Sequence, residues 1–419
     1  MRGFGRVLGI VQAGGSGSRM DVLTRERAKP ALAFAGSYKL IDFALSSFAN
    51  AEIADVWVSV AYLASTLDDH IGHGRPWNLD RTRGGYRRLV PEQGRASSES
   101  GFASGNADNL VQVAGQIRDF EADVVIVMSA DHVFRLDLAD VIADHLERGA
   151  ECTIVTAQAT ATQASTKAVV QVGDDRRVTG FDYKPDEPEG RTVATEIFVY
   201  DPEVLLSELT RLRHELAHAH DNDEAADEGC DDEGSRLGDF GEHLVPALVA
   251  RGKTFAHPIG HYWRDLGRPE EYYQAHRDVL AGRVDVFDDP GYPIGSRWPE
   301  LPPAMVRAEG DVTDSLLSPG CVVRGEVVRS VLGPGVVIEA GAVVRDSILG
   351  AHVRVCGDAH VRTAILDEST WVGRGAQVGA TPAATRVRDA DIALVGRDSR
   401  ISGGSVVDAG ARLEPGSSV

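Results

Sequence analysis

A glycine-rich turn near the amino terminus carries the residue types best suited to binding phosphate. The turn contains three glycines, Gly14, Gly15 and Gly17. Four cationic side chains follow it, namely Arg19, Arg25, Arg27 and Lys29. Glycine lets backbone N–H groups approach a phosphate closely, and nearby cations neutralise the charge that the amides leave. We therefore expect this segment to hold a polyphosphate.

Two common phosphate-binding motifs do not describe this turn. A P-loop needs Gly-Lys followed by Ser or Thr, which this turn lacks. A dinucleotide-binding fingerprint needs a third glycine at the position of Met20. On these residues alone, a tight turn without a ligand stays open as an alternative.

The elements that must position the turn alternate up to about residue 290. Short runs rich in β-branched residues, typical of strands buried on both faces, are separated by segments with helical spacing. The strand-like runs are RVLGIVQ, DVWVSVAY, DVVIVMSA, CTIVTAQA, TEIFVYD and KTFAHPI, and the helical segments include LIDFALSSFANA and ADNLVQVAGQIRDF. This order predicts an α/β fold with a doubly wound, mostly parallel sheet and a ligand site beyond the carboxyl ends of its strands.

The carboxyl-terminal part of the chain has a different periodicity. A linker rich in Pro and Gly covers residues 288–304 and separates a predicted first domain, 1–287, from a second, 305–419. In the second domain, apolar residues recur at intervals of six: Val331, Val337, Val343, Leu349, Val355 and Val361. Three six-residue faces make a coil of about 18 residues, so the pattern predicts a parallel β-helix, with a last imperfect coil after residue 381.

The composition excludes several classes of function. The formal net charge of −20 argues against a nucleic-acid surface, because phosphate backbones are bound by cationic patches. The four cysteines show no Cys-x-x-Cys spacing, so we expect no disulfide framework and a reducing, cytoplasmic environment. No apolar stretch of about 18 residues occurs, which predicts no membrane span. Residues 221–233 hold eight Asp or Glu and no base, as is typical of a solvated loop.

An ordered set of motifs covers nearly the whole chain. They are GGSGSR, RAKP, KLIDFALS from Lys39, PEQGR from Pro91, GNAD from Gly105, ADH from Ala130, KP at Lys184, DFG at Asp239 and YWRDLG from Tyr262. Together with the β-helix, this order resembles the bacterial ADP-glucose pyrophosphorylases, or glucose-1-phosphate adenylyltransferases. The resemblance implies a Rossmann-like nucleotidyltransferase domain followed by a left-handed β-helix of the hexapeptide type.

The resemblance also implies an activity. A homotetrameric cytoplasmic enzyme would transfer AMP from ATP to glucose 1-phosphate, and would release pyrophosphate and ADP-glucose for glycogen or α-glucan synthesis. Such a reaction needs charge neutralisation and alignment more than proton transfer. We expect Mg²⁺ as its cofactor, because this hard cation prefers carboxylate oxygens and bridges substrate phosphates.

By the same resemblance, individual residues receive roles. Arg19 and Lys29 would stabilise the leaving pyrophosphate, and Asp131 and Asp265 would hold Mg²⁺. The nucleotide pocket would be formed by Gly14, Gly15, Gln93, Gly105 and Asp108. The sugar phosphate would be bordered by Lys184, Ala168, Tyr183 and Ala194.

This chain departs from the family pattern mainly on the sugar side. Tyr183 replaces the glutamate of the usual EKP motif, which deletes an acceptor for sugar hydroxyls. Glu196 replaces a glycine and adds bulk and negative charge near an anionic substrate. Other positions that depart from the pattern are Gln12, Ser16, Ser37, Ala103 and Ala168. Two alternatives therefore stay open: a nucleotidyltransferase for another sugar 1-phosphate, and a weakly active or regulatory relative that binds nucleotide without turnover.

One competing motif is HELAH, from His214 to His218. It fits the His-Glu-x-x-His pattern, which places two imidazoles on one helix face for zinc. It lacks a third ligand at the metzincin spacing and lies beside the acidic segment. We interpret it as part of a solvent-facing helix, with adventitious metal binding that would include His220 as the alternative.

Overall fold

The computed structural model of the chain describes residues 4–15, 17–60, 62–89, 105–223, 237–382 and 387–419, without the side chains of residues 162 and 219–223. Three positions considered above, Ser16, Gln93 and Ala103, lie outside these residues, as do most of the acidic segment and the side chain of His220.

The first part of the chain contains thirteen strands within the described residues. They are β1 Val7–Gln12, β2 Ala33–Phe34, β3 Tyr38–Lys39, β4 Asp55–Ser59, β5 Gly85–Leu89, β6 Val124–Ser129, β7 His132–Phe134, β8 Cys152–Gln158, β9 Ala168–Val172, β10 Val178–Tyr183, β11 Thr192–Tyr200, β12 Thr254–Pro258 and β13 Trp263–Asp265. Those at the centre of the main sheet are apolar on both faces; Leu8, Ile10 and Val11 of β1, for example, are fully buried.

The main sheet combines a parallel half with an antiparallel half. Strands β6, β1, β4 and β5 are adjacent and parallel, as the strand-helix-strand pattern predicts. On the other side, β11 runs antiparallel to both β6 and β8, while β8 pairs with β12 in parallel. In the parallel half, Gln12 is in register with Ser59 and with Ser129. The polar carboxyl ends of three strands therefore meet at one sheet edge.

Eight α-helices connect and cover these strands in the described part of the chain. They are α1 Ile41–Asn50, α2 Ser65–Ile71, α3 Asn106–Phe120, α4 Leu138–Glu147, α5 Ala161–Ala164, α6 Pro202–Asp223, α7 Leu244–Ala250 and α8 Pro269–Leu280. Helix α1 packs directly on β1, because Gly9 leaves room for the Phe48 ring: a Cβ at Gly9 would lie 2.5 Å from that ring. Short 3₁₀ segments cover Ser18–Thr24, Lys29–Ala31, Arg75–Trp77, Asp285–Phe287 and Asp389–Asp391.

Two short strand pairings outside the centre of the main sheet position several residues of the cavity described in the next subsection. Strand β13 lies antiparallel to β7, with Asp265 opposite His132. The β9–β10 hairpin places Ala168 opposite Tyr183. The β7–β13 contact is not local in the sequence, because many other elements separate the two strands, whereas β9 and β10 are consecutive strands of one hairpin.

The carboxyl-terminal part forms a left-handed parallel β-helix, as predicted. Its strands are β14 Met305–Val306, β15 Asp311–Thr313, β16 Leu316–Leu317, β17 Val322–Val323, β18 Glu326–Val328, β19 Val331–Leu332, β20 Val337–Ile338, β21 Val343–Arg345, β22 Ile348–Leu349, β23 Arg354–Val355, β24 His360–Arg362, β25 Ala364–Leu366, β26 Trp371–Val372, β27 Gln377–Val378, β28 Ala393–Val395, β29 Arg400–Ile401, β30 Val406–Val407 and β31 Arg412–Leu413. Every third strand stacks in register, which makes three parallel sheets of six strands each.

The coils bury apolar side chains from most of these short strands. Leu332, Ile338 and Val344 are buried, while the adjacent Val337 and Val343 are only partly so. The six-residue period therefore predicts the positions of these strands correctly. In some strands, however, the buried side chain is the neighbour of the residue that recurs every six positions. Among the described residues, no helix is long and apolar enough to cross a bilayer.

Candidate active site

A cavity of about 470 Å³ opens at the carboxyl ends of the parallel strands. Eleven of the residues proposed from the sequence line it: Gly14, Gly15, Arg19, Lys29, Gly105, Asp131, Ala168, Tyr183, Lys184, Ala194 and Asp265. Segments far apart in the chain thus meet in one space, at the edge of the sheet where ligands of this fold class are expected.

The glycine turn and the amino terminus of α3 form one wall. Gly105 precedes α3 and touches the backbone of Gly238; a Cβ would lie 2.2 Å from the Gly238 carbonyl carbon, so only glycine fits. The Gln12 amide donates to the Asn106 carbonyl at 3.0 Å, which ties the end of β1 to the first turn of α3. The Ala107 and Asp108 N–H groups at this helix amino terminus donate to the Gly238 carbonyl oxygen, at 3.1 and 3.3 Å.

Asp108 is the described residue of the nucleotide set that does not line the cavity. Asn106 and Asn109 do. With 3.6 residues per turn, positions 106 and 109 share a helix face, and position 108 lies about 200° around the helix from 106. Gln93 lies outside the described residues.

The centre of the cavity is a pair of carboxylates that share one lysine. The Lys29 Nζ lies 2.6 Å from Asp131 Oδ2 and 3.6 Å from Asp265 Oδ1. Lys29 is buried, with 7% of its side chain exposed. On the far side of Asp265, the Lys167 Nζ contacts Oδ2 at 2.6 Å. The Ser129 hydroxyl also donates to Asp131. The two carboxylates predicted to share a metal therefore do lie around one point.

These contacts set the charges of the site. Burial alone would raise the pKa of Asp131, but Lys29 and His132 lower it to about 2. The pKa of Asp265 is also well below its ordinary value, because Lys29 and Lys167 outweigh burial. Conversely, the two carboxylates outweigh burial at Lys29 and hold its pKa above the usual range. At neutral pH Asp131 and Asp265 are therefore ionised and Lys29 carries its positive charge.

The residues expected on the sugar side of the cavity contact one another and Asp239. The Tyr183 hydroxyl donates to Asp239 Oδ2 at 2.7 Å, and the Lys184 Nζ lies 3.7 Å from the same oxygen. Burial and Asp239 raise the pKa of Tyr183, so its hydroxyl remains protonated. Lys184 is 48% exposed and is within reach of the cavity despite this pair.

Arg19 and Glu196 face the open part of the cavity. Arg19 lies in the 3₁₀ segment after the turn, is exposed, and has no ion pair with another described residue. The Glu196 side chain is 51% exposed, and its Oε2 lies 4.0 Å from the His132 Nε2. Partial burial and the carboxylates of Asp131 and Asp265 raise the pKa of Glu196.

Three residues of the site were not assigned roles from the sequence: Lys167, His132 and Asp239. Lys167 stands directly before Ala168, where the family pattern breaks, and lysine is scarce in this chain, so its position was a usable signal. His132 and Asp239 belong to quoted motifs. The role of His132 depends on the β7–β13 pairing, and that of Asp239 depends on its contact with Tyr183. No local sequence pattern shows either contact.

The HELAH histidines lie apart from the cavity. His214 and His218 project from α6 with their Nε2 atoms 3.0 Å apart, and neither lines the site. This agrees with their interpretation as part of a solvent-facing helix.

Comparison with known proteins gives two family models along the chain. A model described as "Nucleotidyl transferase" matches residues 8–282, and one described as "GlmU-like, C-terminal hexapeptide" matches residues 302–395.

Curated relatives named glucose-1-phosphate adenylyltransferase align over most of the chain. That of Fervidobacterium nodosum is 30% identical over 94% of this chain and 91% of the relative. That of Thermomicrobium roseum is 36% identical over 88% of this chain and 82% of the relative. That of Corynebacterium jeikeium is 33% identical over 93% of this chain and 96% of the relative.

Proposed function

This chain belongs to the bacterial glucose-1-phosphate adenylyltransferases, and on that premise we propose that its cavity transfers the adenylyl group of ATP to glucose 1-phosphate. A phosphate oxygen of the sugar 1-phosphate attacks the α-phosphorus of ATP. The bond from that phosphorus to the oxygen bridging the β-phosphate breaks, and pyrophosphate leaves. No proton needs to be abstracted, so alignment and charge neutralisation supply the catalysis.

One observation carries this proposal: Lys29 contacts both Asp131, at 2.6 Å, and Asp265, at 3.6 Å, inside the cavity that the glycine turn borders. The ammonium is held where it can exchange partners. When a triphosphate enters, Lys29 can turn from a carboxylate to the leaving phosphates, and the carboxylate it releases becomes free to bind a cation.

The donor set fits a divalent ion, as nucleotidyl transferases generally require. Asp131 and Asp265 offer carboxylate oxygens around one point, and we propose that they hold Mg²⁺. When bound, the ion would neutralise triphosphate charge.

The remaining residues align the two substrates. We propose that the amides of Gly14 and Gly15 receive the nucleotide in the space that Gly105 also lines, and that Arg19 supplies a second cation for the pyrophosphate. Lys184 would bind the sugar phosphate, because its ammonium is exposed to the cavity.

Several features of the whole protein follow from the family as proposals. We propose that residues 1–287 and 305–419 are separate domains joined by 288–304, and that the protein is a cytoplasmic homotetramer that supplies ADP-glucose for glycogen or α-glucan synthesis.

The test is pyrophosphate release from a panel of sugar 1-phosphates and nucleoside triphosphates, with nucleotide binding measured separately. We expect the fastest release with ATP and glucose 1-phosphate. Glu196 and the Tyr183–Asp239 contact favour one competitor, an adenylyl transfer to another sugar 1-phosphate, which a different fastest pair would establish. Nucleotide binding without release from any pair would refute catalysis.

A further inference from the structure

Two lysines lie side by side at the open end of the β9–β10 hairpin. Lys167 directly precedes β9, and Lys184 directly follows β10. The Lys184 N–H donates to the Lys167 carbonyl oxygen at 3.1 Å, which extends the pairing of Ala168 with Tyr183 by one residue. Both lysines line the cavity. The hairpin therefore brings two cations from neighbouring backbone positions to one space.

Each of these ammonium groups is held by a different carboxylate. The Lys167 Nζ lies 2.6 Å from Asp265 Oδ2, and the Lys184 Nζ lies 3.7 Å from Asp239 Oδ2. Residues that pair across two antiparallel segments have Cα atoms about 5 Å apart, and a lysine carries its donors on a flexible four-carbon stem. The two ammonium groups can therefore converge on one anion.

Asp265 can release Lys167 without losing its last cation. Asp265 Oδ1 lies 3.6 Å from the Lys29 Nζ, so this carboxylate contacts two lysines. The Lys167 side chain is 10% exposed, and its Nζ also lies 5.2 Å from the centroid of the Trp263 ring. A cation–π contact of this kind stabilises the ammonium while it changes partners. Lys167 is therefore positioned to turn from Asp265 toward an incoming anion.

The sugar side of the cavity carries negative charge that one lysine does not balance. In a stretch where the pairing of β11 with β8 shifts register, Glu196 has a left-handed backbone with φ of 57°, and its half-exposed carboxylate lines the cavity. Asp239 lies on the same side, beside Lys184. Both carboxylates repel a phosphate, and charge-assisted contacts to ammonium groups offset that repulsion. With Lys167, two cations face these two carboxylates.

We propose that Lys167 and Lys184 together bind the phosphate of the sugar 1-phosphate, and that Lys167 draws this phosphate toward Asp265. Lys167 is then a second substrate-binding residue on the sugar side. The inference rests on the proposed function for the identity of its ligand. The competing occupant is a nucleotide phosphate, because Lys29 contacts the same carboxylate from the side of the glycine turn.

Isothermal titration calorimetry tests the proposal without turnover. Glucose 1-phosphate is titrated into protein saturated with α,β-methylene-ATP, whose methylene bridge cannot be cleaved, and the analogue is titrated separately. Lys167→Gln removes the charge but keeps a side-chain N–H that can donate to Asp265. Lys253→Gln is the matched control, because Lys253 is exposed and lies outside the cavity. We expect Lys167→Gln to raise the Kd for glucose 1-phosphate about tenfold or more and the Kd for the analogue less than about twofold, with both values unchanged in Lys253→Gln.

A conservative variant and thermal unfolding separate binding from structure. Lys167→Arg keeps the charge and should recover most of the affinity that Lys167→Gln loses. An unchanged Kd for glucose 1-phosphate in a folded Lys167→Gln protein would overturn the proposal. Equal losses of affinity for both ligands would also overturn it, since Lys167 would then serve the nucleotide or act only through Asp265.

A second measurement uses the wild type alone. The chain has five lysines, Lys29, Lys39, Lys167, Lys184 and Lys253, so the acetylation of each can be followed by mass spectrometry. With the ATP analogue bound, glucose 1-phosphate should slow the acetylation of both Lys167 and Lys184, glucose should slow neither, and Lys253 should not change. Protection of Lys184 alone, or of neither lysine, would contradict the proposal. Pyrophosphate release without this protection would leave the proposed function standing, and protection without release would leave the lysine pair standing.

Discussion

At the scale of single residues, two charged groups of the site each contact two groups of opposite charge. Lys29 holds two carboxylates, and Asp265 holds two lysines, Lys29 and Lys167. Such a network lets each group change partners without leaving a buried charge alone, which would cost about 3 to 5 kcal/mol. It is therefore suited to receive a highly charged substrate.

Lys184 is proposed to bind the sugar phosphate and not the nucleotide, so its loss should affect the binding of only one substrate. We expect Lys184→Ala to raise the KM for glucose 1-phosphate about tenfold or more, as for a lost hydrogen bond to a charged group, and to leave the KM for ATP nearly unchanged. Steady-state kinetics with each substrate varied in turn measures both. Lys253→Ala is the control, because Lys253 lies outside the cavity. Equal increases in both KM values would remove Lys184 from the sugar site.

At the scale of elements, irregular strands place the unusual residues. The β11 register shift turns the Thr195 carbonyl toward His132 and the Glu196 side chain toward the cavity. The raised pKa of Glu196 means that ionisation of this group destabilises the folded state. The stabilising, protonated form predominates at low pH and is lost as pH rises through the folded pKa.

We therefore expect Glu196→Gly to stabilise the metal-free protein at neutral pH. Glycine relieves about 1 kcal/mol of left-handed backbone strain, and loss of the carboxylate removes repulsion from Asp131 and Asp265. Thermal unfolding measures the gain, which should shrink as pH is lowered toward the carboxyl range. Glu52→Gly is the control, because Glu52 also has a positive φ, 59°, but is exposed and outside the cavity. Equal gains in both variants at every pH would leave no role for charge.

The elements also show what the sequence could predict. The Gly14 turn and Asp131 follow strands whose apolar runs were visible, so their meeting at one sheet edge could be inferred. The placement of Asp265 came from family resemblance alone, because its contact with His132 arises from two three-residue strands without a periodic signal. Lys167 was missed for a related reason: it reaches Asp265 only through the position of the β9–β10 hairpin.

At the scale of the whole molecule, buried ion pairs join the α/β part to the β-helix. The Arg27 side chain, 5% exposed, contacts Asp367 at 2.9 Å and Glu368 at 3.3 Å. Lys39 lies 3.3 Å from the same Glu368 oxygen. Burial opposes ionisation of Glu368, but Lys39 and Arg27 lower its pKa to about 2. The segment that follows the glycine turn is therefore held against the β-helix by ion pairs.

Glu368→Gln should weaken this junction. Because the folded pKa is lowered, the ionised group contributes stability above its unfolded pKa, and that contribution is lost as pH falls toward 2. We expect a loss of about 2 to 3 kcal/mol at pH 7, read as a lower Tm, and a smaller difference near pH 3. Glu326→Gln is the control, since Glu326 forms a more exposed pair with Arg345 on the β-helix and should cost less than about 1 kcal/mol. A Glu368→Gln loss that did not change with pH would contradict the ionic account.

The most direct test of the central claim, that Lys29, Asp131 and Asp265 form the phosphate-transfer centre, is pyrophosphate release by Asp265→Asn with ATP and glucose 1-phosphate. The substitution keeps size and removes one charge. Thermal unfolding verifies folding, and Asp311→Asn on the β-helix serves as control. We expect a folded Asp265→Asn protein whose release rate falls about a hundredfold or more. A folded variant with a near-normal rate would contradict the account.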